Sequence, residues 1–250
     1  INAGSDELTI FGGVAKYKTV IDGLRAYAEE TNNGIVVVSS GDNFIPSPEF
    51  DASISRDSTE LYYDAIVINE VGYDALAIGN HDFDFGPDIL ERLILDTEET
   101  SPAFLSANLD FSAEAGLQAL VEAERIAPAV VVEKEGEEIG IIGLTTTNLP
   151  FISTPRQVVV DTALTQILQF RVDSLENLGV NKIILISHLQ GLDEELALAA
   201  TVNGIDLIVA GGGDNLLANE GDALLPGDEI EGPYPTITQD LDGEDVFVVT

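Results

Sequence analysis

The stretch DALAIGNHDFDFG, residues 74–86, decides how the rest of the chain reads. An apolar run of strand length stops on Gly79 and at once presents Asn80, His81, Asp82 and Asp84. A short apolar run closed by a glycine is the pattern of a buried strand that ends in a tight turn. The expected strand is Asp74–Gly79. A helix is expected over Pro87–Asp96, with Pro87 in the first turn, where its missing N–H is harmless.

Working outward, the same pattern recurs. Gly34–Ser40 (GIVVVSS) reads as a buried strand that ends on Gly41-Asp42, Asn181–Ser187 as one that ends on His188, and Ile205–Ala210 as one that ends on Gly211-Gly212-Gly213-Asp214. Further strands are expected at Ala103–Ala107 and Glu244–Thr250. A hairpin is expected from Ala129–Glu133 and Ile139–Thr145 around Glu135-Gly136-Glu137, with Pro128 marking its start. Helical spacing of apolar residues predicts Thr59–Val71 with Ser58 as its N-cap, Thr162–Leu178 closed by Gly179, and Asp193–Val202. Asn219–Tyr234, dense in Gly, Pro and Asp, reads as a surface loop over the site end of the sheet. Strand–helix alternation with a hairpin in the middle predicts an α/β fold with a largely parallel sheet and one antiparallel excursion.

Four strands thus deliver polar side chains at their C-terminal ends, the edge where open α/β sheets bind ligands. A lone Gly-Asp after a strand is ordinarily a turn, and a lone histidine is ordinarily structural. The set is different: both histidines of the chain fall at strand ends beside Asp and Asn. Asp, Asn and neutral His are hard or borderline donors suited to Mn, Mg, Ca, Fe or Zn, so a shared metal site is expected.

Composition bounds the rest. The 250 residues carry 10 Lys+Arg against 45 Asp+Glu, a formal charge of −35. A surface that acidic repels nucleic-acid phosphates and anionic membranes, so no nucleic-acid polymer is expected as a partner. No run of 18 apolar residues exists to span a bilayer. With no Cys, disulfides and thiolate metal sites are excluded. Abundant acid with only four lysines, Lys16, Lys18, Lys134 and Lys182, is the composition of a salt-adapted protein, the plainer alternative being an ordinary acidic secreted one. The chain has no Met, so Ile1 is not a translation start, and a processed chain or a fragment is expected.

Gly41-Asp42-Asn43-Phe44, the GNHDFDFG string at 79–86, Ser106-Ala107-Asn108-Leu109 and Ser187-His188 together resemble the calcineurin-like metallophosphoesterases, and within them the 5′-nucleotidase branch. Phe11-Gly12-Gly13-Val14-Ala15-Lys16 is similar to the segment after that family's first motif. The resemblance implies an α/β/β/α sandwich with mixed sheets, spanning residues 1–250 as a catalytic domain truncated at both ends. The C-terminal nucleotide-specificity domain would be absent, and so would the first strand. It implies metal-dependent hydrolysis of a small phosphorylated substrate, such as a nucleotide, by a hydroxide bound to two divalent ions. Asp42 would bridge the ions and Asn80 and His188 would serve the second. His81 would act at the leaving group as acid or charge stabiliser, with Asp84 orienting its ring. Asn108 is a substrate-binding candidate or a turn residue, and Asp82 is expected to face solvent or cap a turn. The branch implies an extracellular, periplasmic or cell-surface protein.

Two departures stand out. The family opens with Asp-x-His at the end of a strand. Asp6 follows no apolar run, so that motif is expected upstream of Ile1. The family's Gly-His-x-His aligns with Gly211-Gly212-Gly213-Asp214, which leaves Asp214 as an oxygen ligand and shifts preference from Zn toward Mn, Mg or Ca. A metal-binding or interaction module with weakened or lost catalysis is the alternative.

Overall fold

In the computed structural model, residues 12–98 and 103–250 are described. Ile1, Asp6 and Phe11, on which expectations above rest, lie outside them. In chain order the elements are α1 (Val14–Thr31), β1 (Val38–Ser39), α2 (Pro48–Ile54), α3 (Tyr63–Val71), β2 (Ala75–Ala77), α4 (Pro87–Asp96), β3 (Phe104–Leu105), β4 (Leu109–Asp110), α5 (Ala115–Glu122), β5 (Ile126–Ala127), β6 (Ala129–Lys134) and β7 (Glu137–Thr145). There follow α6 (Leu149–Ile152), β8 (Val159–Val160), α7 (Leu164–Asn177), β9 (Ile183–His188), α8 (Leu192–Ala199), β10 (Leu207–Ala210), β11 (Leu216–Leu217), β12 (Ile230–Gly232), β13 (Thr236–Gln239) and β14 (Asp245–Val249).

Two main sheets form where alternation alone suggested one. The first has the order β1-β2-β3-β5, all parallel. The second has the order β13-β14-β10-β9-β7-β6, parallel at its centre and antiparallel at both edges. Ala75, Ala77, Leu105, Ile141 and Ile186 fill the layer between them. Small residues on β2 let the sheets approach closely. Leu76, Ile78, Leu90, Leu93 and Phe104 pack the outer face of the first sheet under its helices, and Leu144, Leu168, Val172, Leu185 and Ile208 do so for the second. The result is the α/β/β/α sandwich. Each fully buried Leu or Ile contributes about 1.5–3 kcal/mol by leaving water.

Local chemistry explains most boundaries. Helix α4 occupies the expected span and presents Leu90, Leu93 and Ile94, all fully buried, on one face. The β6–β7 hairpin turns on Glu135 and Gly136, whose φ values of 50° and 81° are both positive, as a two-residue turn between twisted strands requires. Helix α3 starts at Tyr63 rather than Thr59, and Ser58 does not cap it. A residue from elsewhere intervenes: Asp96 accepts the Tyr62 N–H at 2.9 Å. The strand expected at Gly34–Ser40 pairs only over Val38–Ser39, because Asp74 takes both the N–H and the carbonyl of Val37. Helices α1, α2, α5 and α6 and edge strand β13 were not anticipated. Of the 18 residues of α1 only Ala28 is buried, so its pattern carries no clean apolar stripe. Most of Asn219–Tyr234 is irregular, apart from β12, which pairs with β11.

Candidate metal centre and catalytic histidine

The C-terminal ends of β1, β2 and β9 bring Asp42, Asn80, His81 and His188 together from both sheets. His188 ends β9 with no exposed surface. Its Nδ1 lies 2.7 Å from the carbonyl of Ser40, and its Nε2 lies 3.1 Å from both Asn80 Oδ1 and Asp42 Oδ1. The carbonyl can only accept, so Nδ1 carries a proton and the ring is locked. Nε2 then faces two oxygen acceptors. That cluster is stable only with positive charge at its centre, either a proton on Nε2 or a cation. Burial by itself lowers the His188 pKa. The hydrogen bond and charge of Asp42, with Ser40 and Asp82 behind, override it and hold the pKa above the ordinary value.

Asp42 stands in the left-handed region at φ 53°, unusual for a residue with a side chain. The strain is held by contacts on its carboxylate, since Oδ1 also accepts the His81 N–H at 2.9 Å. Glycines make room for it. A Cβ on Gly41, at φ 109°, would fall 2.3 Å from His188 Nδ1, and one on Gly79 would fall 2.2 Å from Asp42 Oδ1.

Asp82 neither faces solvent nor caps only its own turn. It is fully buried and accepts three hydrogen bonds: from Gly79 N at 2.7 Å, Asn43 N at 2.9 Å and Asn43 Nδ2 at 2.9 Å. It therefore clamps the loop that carries Asp42 to the end of β2. Burial pushes its pKa up, and the nearby Asp42 charge adds to that.

His81 begins a short 3-10 turn after β2. Its side chain is 41% exposed, its Nδ1 bonds Asp84 Oδ2, and Asp84 Oδ1 accepts the Ser153 hydroxyl at 2.8 Å. This Ser153–Asp84–His81 chain fixes the ring and leaves Nε2 toward the open side. Burial opposes charge on His81, but the Asp84 hydrogen bond and the charges of Asp42 and Asp84 raise its pKa above the ordinary value.

The remaining expected residues, Asp214 and Asn108, make no hydrogen bond or ion pair with this cluster among the described residues. Asp214 is exposed, and no hydrogen bond or ion pair among the described residues joins it to Asp42, Asn80 or His188. A Cβ on Gly212 would fall 1.6 Å from the Leu189 carbonyl, so this backbone admits no side chain there. Asn108 is buried, and both ends of its amide are engaged: Oδ1 accepts from Thr145 N at 2.9 Å, and Nδ2 donates to Thr145 O at 2.8 Å. Thr145 in turn donates to Ile78 O at 2.6 Å, so Asn108 ties the second sheet to the strand below Asn80.

Ser153 and Gln190 were not singled out from the sequence, and Asn43 was quoted within the Gly41–Phe44 string without a role. Gln190 Nε2 donates to Asn80 Oδ1 at 3.1 Å and orients that amide. Only its position two residues past His188 could have marked it.

No group of three or more His, Asp or Glu among the described residues could alone hold a metal ion. Counting the Asn80 amide, Asp42, Asn80 and His188 make a three-donor set whose chemistry fits one divalent cation. The described residues add no further donor that would fix a second ion beside Asp42.

No family model matches the chain. A snake venom 5′-nucleotidase from Gloydius brevicauda is 32% identical over 241 residues, which is 96% of this chain and 38% of that protein. The crystal structure of a 5′-nucleotidase precursor from Thermus thermophilus superposes with a TM-score of 0.82 at 34% identity, over 96% of this chain and 43% of that one. A calcineurin-like phosphoesterase from Bacillus subtilis, 20% identical, shares the fold over 78% of this chain and 63% of that one, with a TM-score of 0.59. The chain thus spans about two fifths of the length of its nucleotidase relatives. With this fold and these relatives, the chain is similar over 96% of its length to the 5′-nucleotidases and has the fold of the calcineurin-like phosphoesterases.

Proposed function

We propose that the protein hydrolyses phosphate esters with the help of divalent cations, and that its substrates are nucleoside 5′-phosphates or similar small phosphomonoesters. The observation that carries this is the convergence of Asp42 Oδ1, Asn80 Oδ1 and His188 Nε2 beside a histidine backed by a carboxylate. Asp42, Asn80 and His188 would hold a cation, and Asp42 would contribute a carboxylate to a second if one binds. When bound, such ions supply positive charge to the phosphoryl oxygens and acidify a water. The chain's own residues do the rest. Gln190 and the Ser40 carbonyl fix the donors. His81 faces the leaving-group oxygen and gives it a proton or stabilises its charge, while Asp84 and Ser153 hold the ring in the tautomer that places the mobile proton on Nε2. With a charge of −35 the protein repels phosphate, so local positive charge at this rim is needed for substrate to approach.

The names of the relatives support nucleotide substrates, and the venom source of one supports a place outside the cytoplasm. Among the described residues no helix is long and apolar enough to cross a membrane. The chain is read as one catalytic domain, with Asp214 outside the metal set and Asn108 as structural support.

Phosphate release from a nucleoside 5′-monophosphate, with Mn²⁺ and with chelator, tests this. Turnover that needs metal and is lost in both Asp42→Asn and His81→Asn is expected. Metal-dependent turnover that survives both changes contradicts it. Cation binding without turnover on a panel of phosphoesters would favour a binding module on the same fold, the reading motivated by the Gly211–Asp214 stretch.

A further inference from the structure

The cations of this chain are few, and nearly all are engaged. Lys18, Arg25, Arg56, Arg92, Lys134, Arg156 and Lys182 form ion pairs with carboxylates, seven of the ten Lys and Arg side chains. Arg171 on α7 is different. It is half-buried, and among the described residues it has neither a carboxylate partner nor a hydrogen-bond acceptor. Its Nε–H is enclosed with no partner. Burial lowers its pKa, the sign of a charge held without compensation. In a chain with 45 acidic residues, an arginine left without one is unexpected on charge statistics alone.

The surroundings of Arg171 are shaped. It stands between two grooves, of about 430 Å³ and about 170 Å³, that share Ala107, Leu109 and Asp110 as floor. The larger is walled by Ile167 and by Phe170, whose ring is 60% exposed and lies 5.2 Å from the guanidinium carbon. Two carboxylates border it, and both are engaged in their own turns: Asp110 accepts the Ser112 N–H at 2.9 Å, and Asp161 accepts the Ala163 N–H at 2.9 Å. The groove therefore offers one flat cation, one exposed ring and a mixed lining in which Leu109 and Ile167 are apolar and Asn108 and Gln166 are neutral and polar. Its two fixed negative charges disfavour a dianion.

We infer that the groove between α7 and the Ala107–Asp110 segment binds a small monoanionic aromatic carboxylate, with Arg171 receiving the carboxylate and Phe170 and Ile167 receiving the ring. A guanidinium fork matches a carboxylate bidentately, and a ring against Phe170 gains offset or edge contact. The groove shares no lining residue with the Asp42–His188 cluster and needs no metal, so it stands or falls independently of the phosphoesterase reading.

Fluorine NMR of para-fluorobenzoate titrated with the metal-free 250-residue chain tests it. Saturable line broadening is expected. Arg171→Gln should weaken binding roughly tenfold, the loss of a charge-assisted bidentate contact. Phe170→Ala should weaken it several-fold, Arg171→Lys should fall between, and Lys182→Gln should leave it unchanged. Circular dichroism of each variant establishes that it folds. Broadening that does not saturate, or that is equal in Arg171→Gln and Lys182→Gln, overturns the assignment. Displacement by inorganic phosphate as readily as by benzoate overturns the choice of ligand class.

Discussion

The two histidines end neighbouring strands in different sheets, and their settings are opposites. His188 has no exposed surface, a backbone carbonyl behind Nδ1 and two oxygen acceptors before Nε2. His81 is 41% exposed, with a carboxylate behind Nδ1 and open space ahead. A sealed imidazole backed by a neutral carbonyl presents a fixed lone pair, which suits a cation. An open imidazole backed by a carboxylate is a better proton carrier, because the carboxylate stabilises the imidazolium. Burial and the group behind the ring thus give one residue type two different settings.

The largest effect expected is on the open side. His81→Asn should lower phosphate release by roughly 10²–10⁴-fold, the usual size of an acid–base contribution, while leaving cation affinity near that of the wild type. Calorimetry with Mn²⁺ alongside phosphate assay separates the two. The sealed side should behave in the reverse way, since His188→Ala removes a donor and cation binding itself should fall. Asp214→Asn should change cation affinity far less than Asp42→Asn, because Asp214 is exposed and bonded to none of Asp42, Asn80 and His188.

Asp84→Asn sharpens the contrast. Asp84 helps to raise the His81 pKa, so the variant should titrate His81 at lower pH. A histidine whose folded pKa is raised contributes stability that is full below its unfolded pKa and is lost as pH rises through the folded one. That pH dependence should shrink in Asp84→Asn, as read from melting temperatures across the histidine range.

A buried carboxyl also braces the strand that carries the sealed histidine. Glu195 is 1% exposed and accepts the hydroxyl of Ser187, the residue before His188, at 3.0 Å, and burial pushes its pKa up to about 7. A raised carboxyl pKa means that the folded state holds the proton more tightly, so stability is lost as pH rises from the unfolded value toward 7. Glu195→Gln should therefore be more stable than wild type by about 2–3 kcal/mol above that window, with the gap closing below it. Thermal melts at acid and alkaline pH check this. The smallest and most diffuse effect concerns neither histidine: with a charge of −35, the melting temperature should rise with added salt as self-repulsion is screened.

Much of this was legible in one dimension. GNHDFDFG places His81 and Asp84 three residues apart on a tight turn, which is why their pairing could be anticipated, and the apolar pattern of Pro87–Asp96 is clean because one face of that helix is wholly buried. What escaped was long-range. Asp82 looks like a solvent-facing turn residue until Asn43, 39 positions away, is folded onto it. Ser153 reaches Asp84 across 69 positions and the Ser40 carbonyl reaches His188 across 148, and no local pattern encodes either contact. The division into two sheets was hidden for the same reason, since β2 and β9 read alike as apolar runs whichever sheet they join. The likeness of Asp214 to a metal ligand rested on its strand-end position and on its alignment with Gly-His-x-His, and no local pattern shows that its side chain is exposed and unbonded to Asp42, Asn80 or His188.

In the proposed function His188 receives the cation and His81 the proton. Long-range proton–nitrogen NMR of the two imidazoles during a Zn²⁺ titration tests it most directly. The expected result is a shift of His188 Nε2 with loss of its titration, while His81 continues to titrate above the ordinary value of about 6.5. A Zn²⁺-induced shift at His81 Nε2 with His188 unaffected would contradict it.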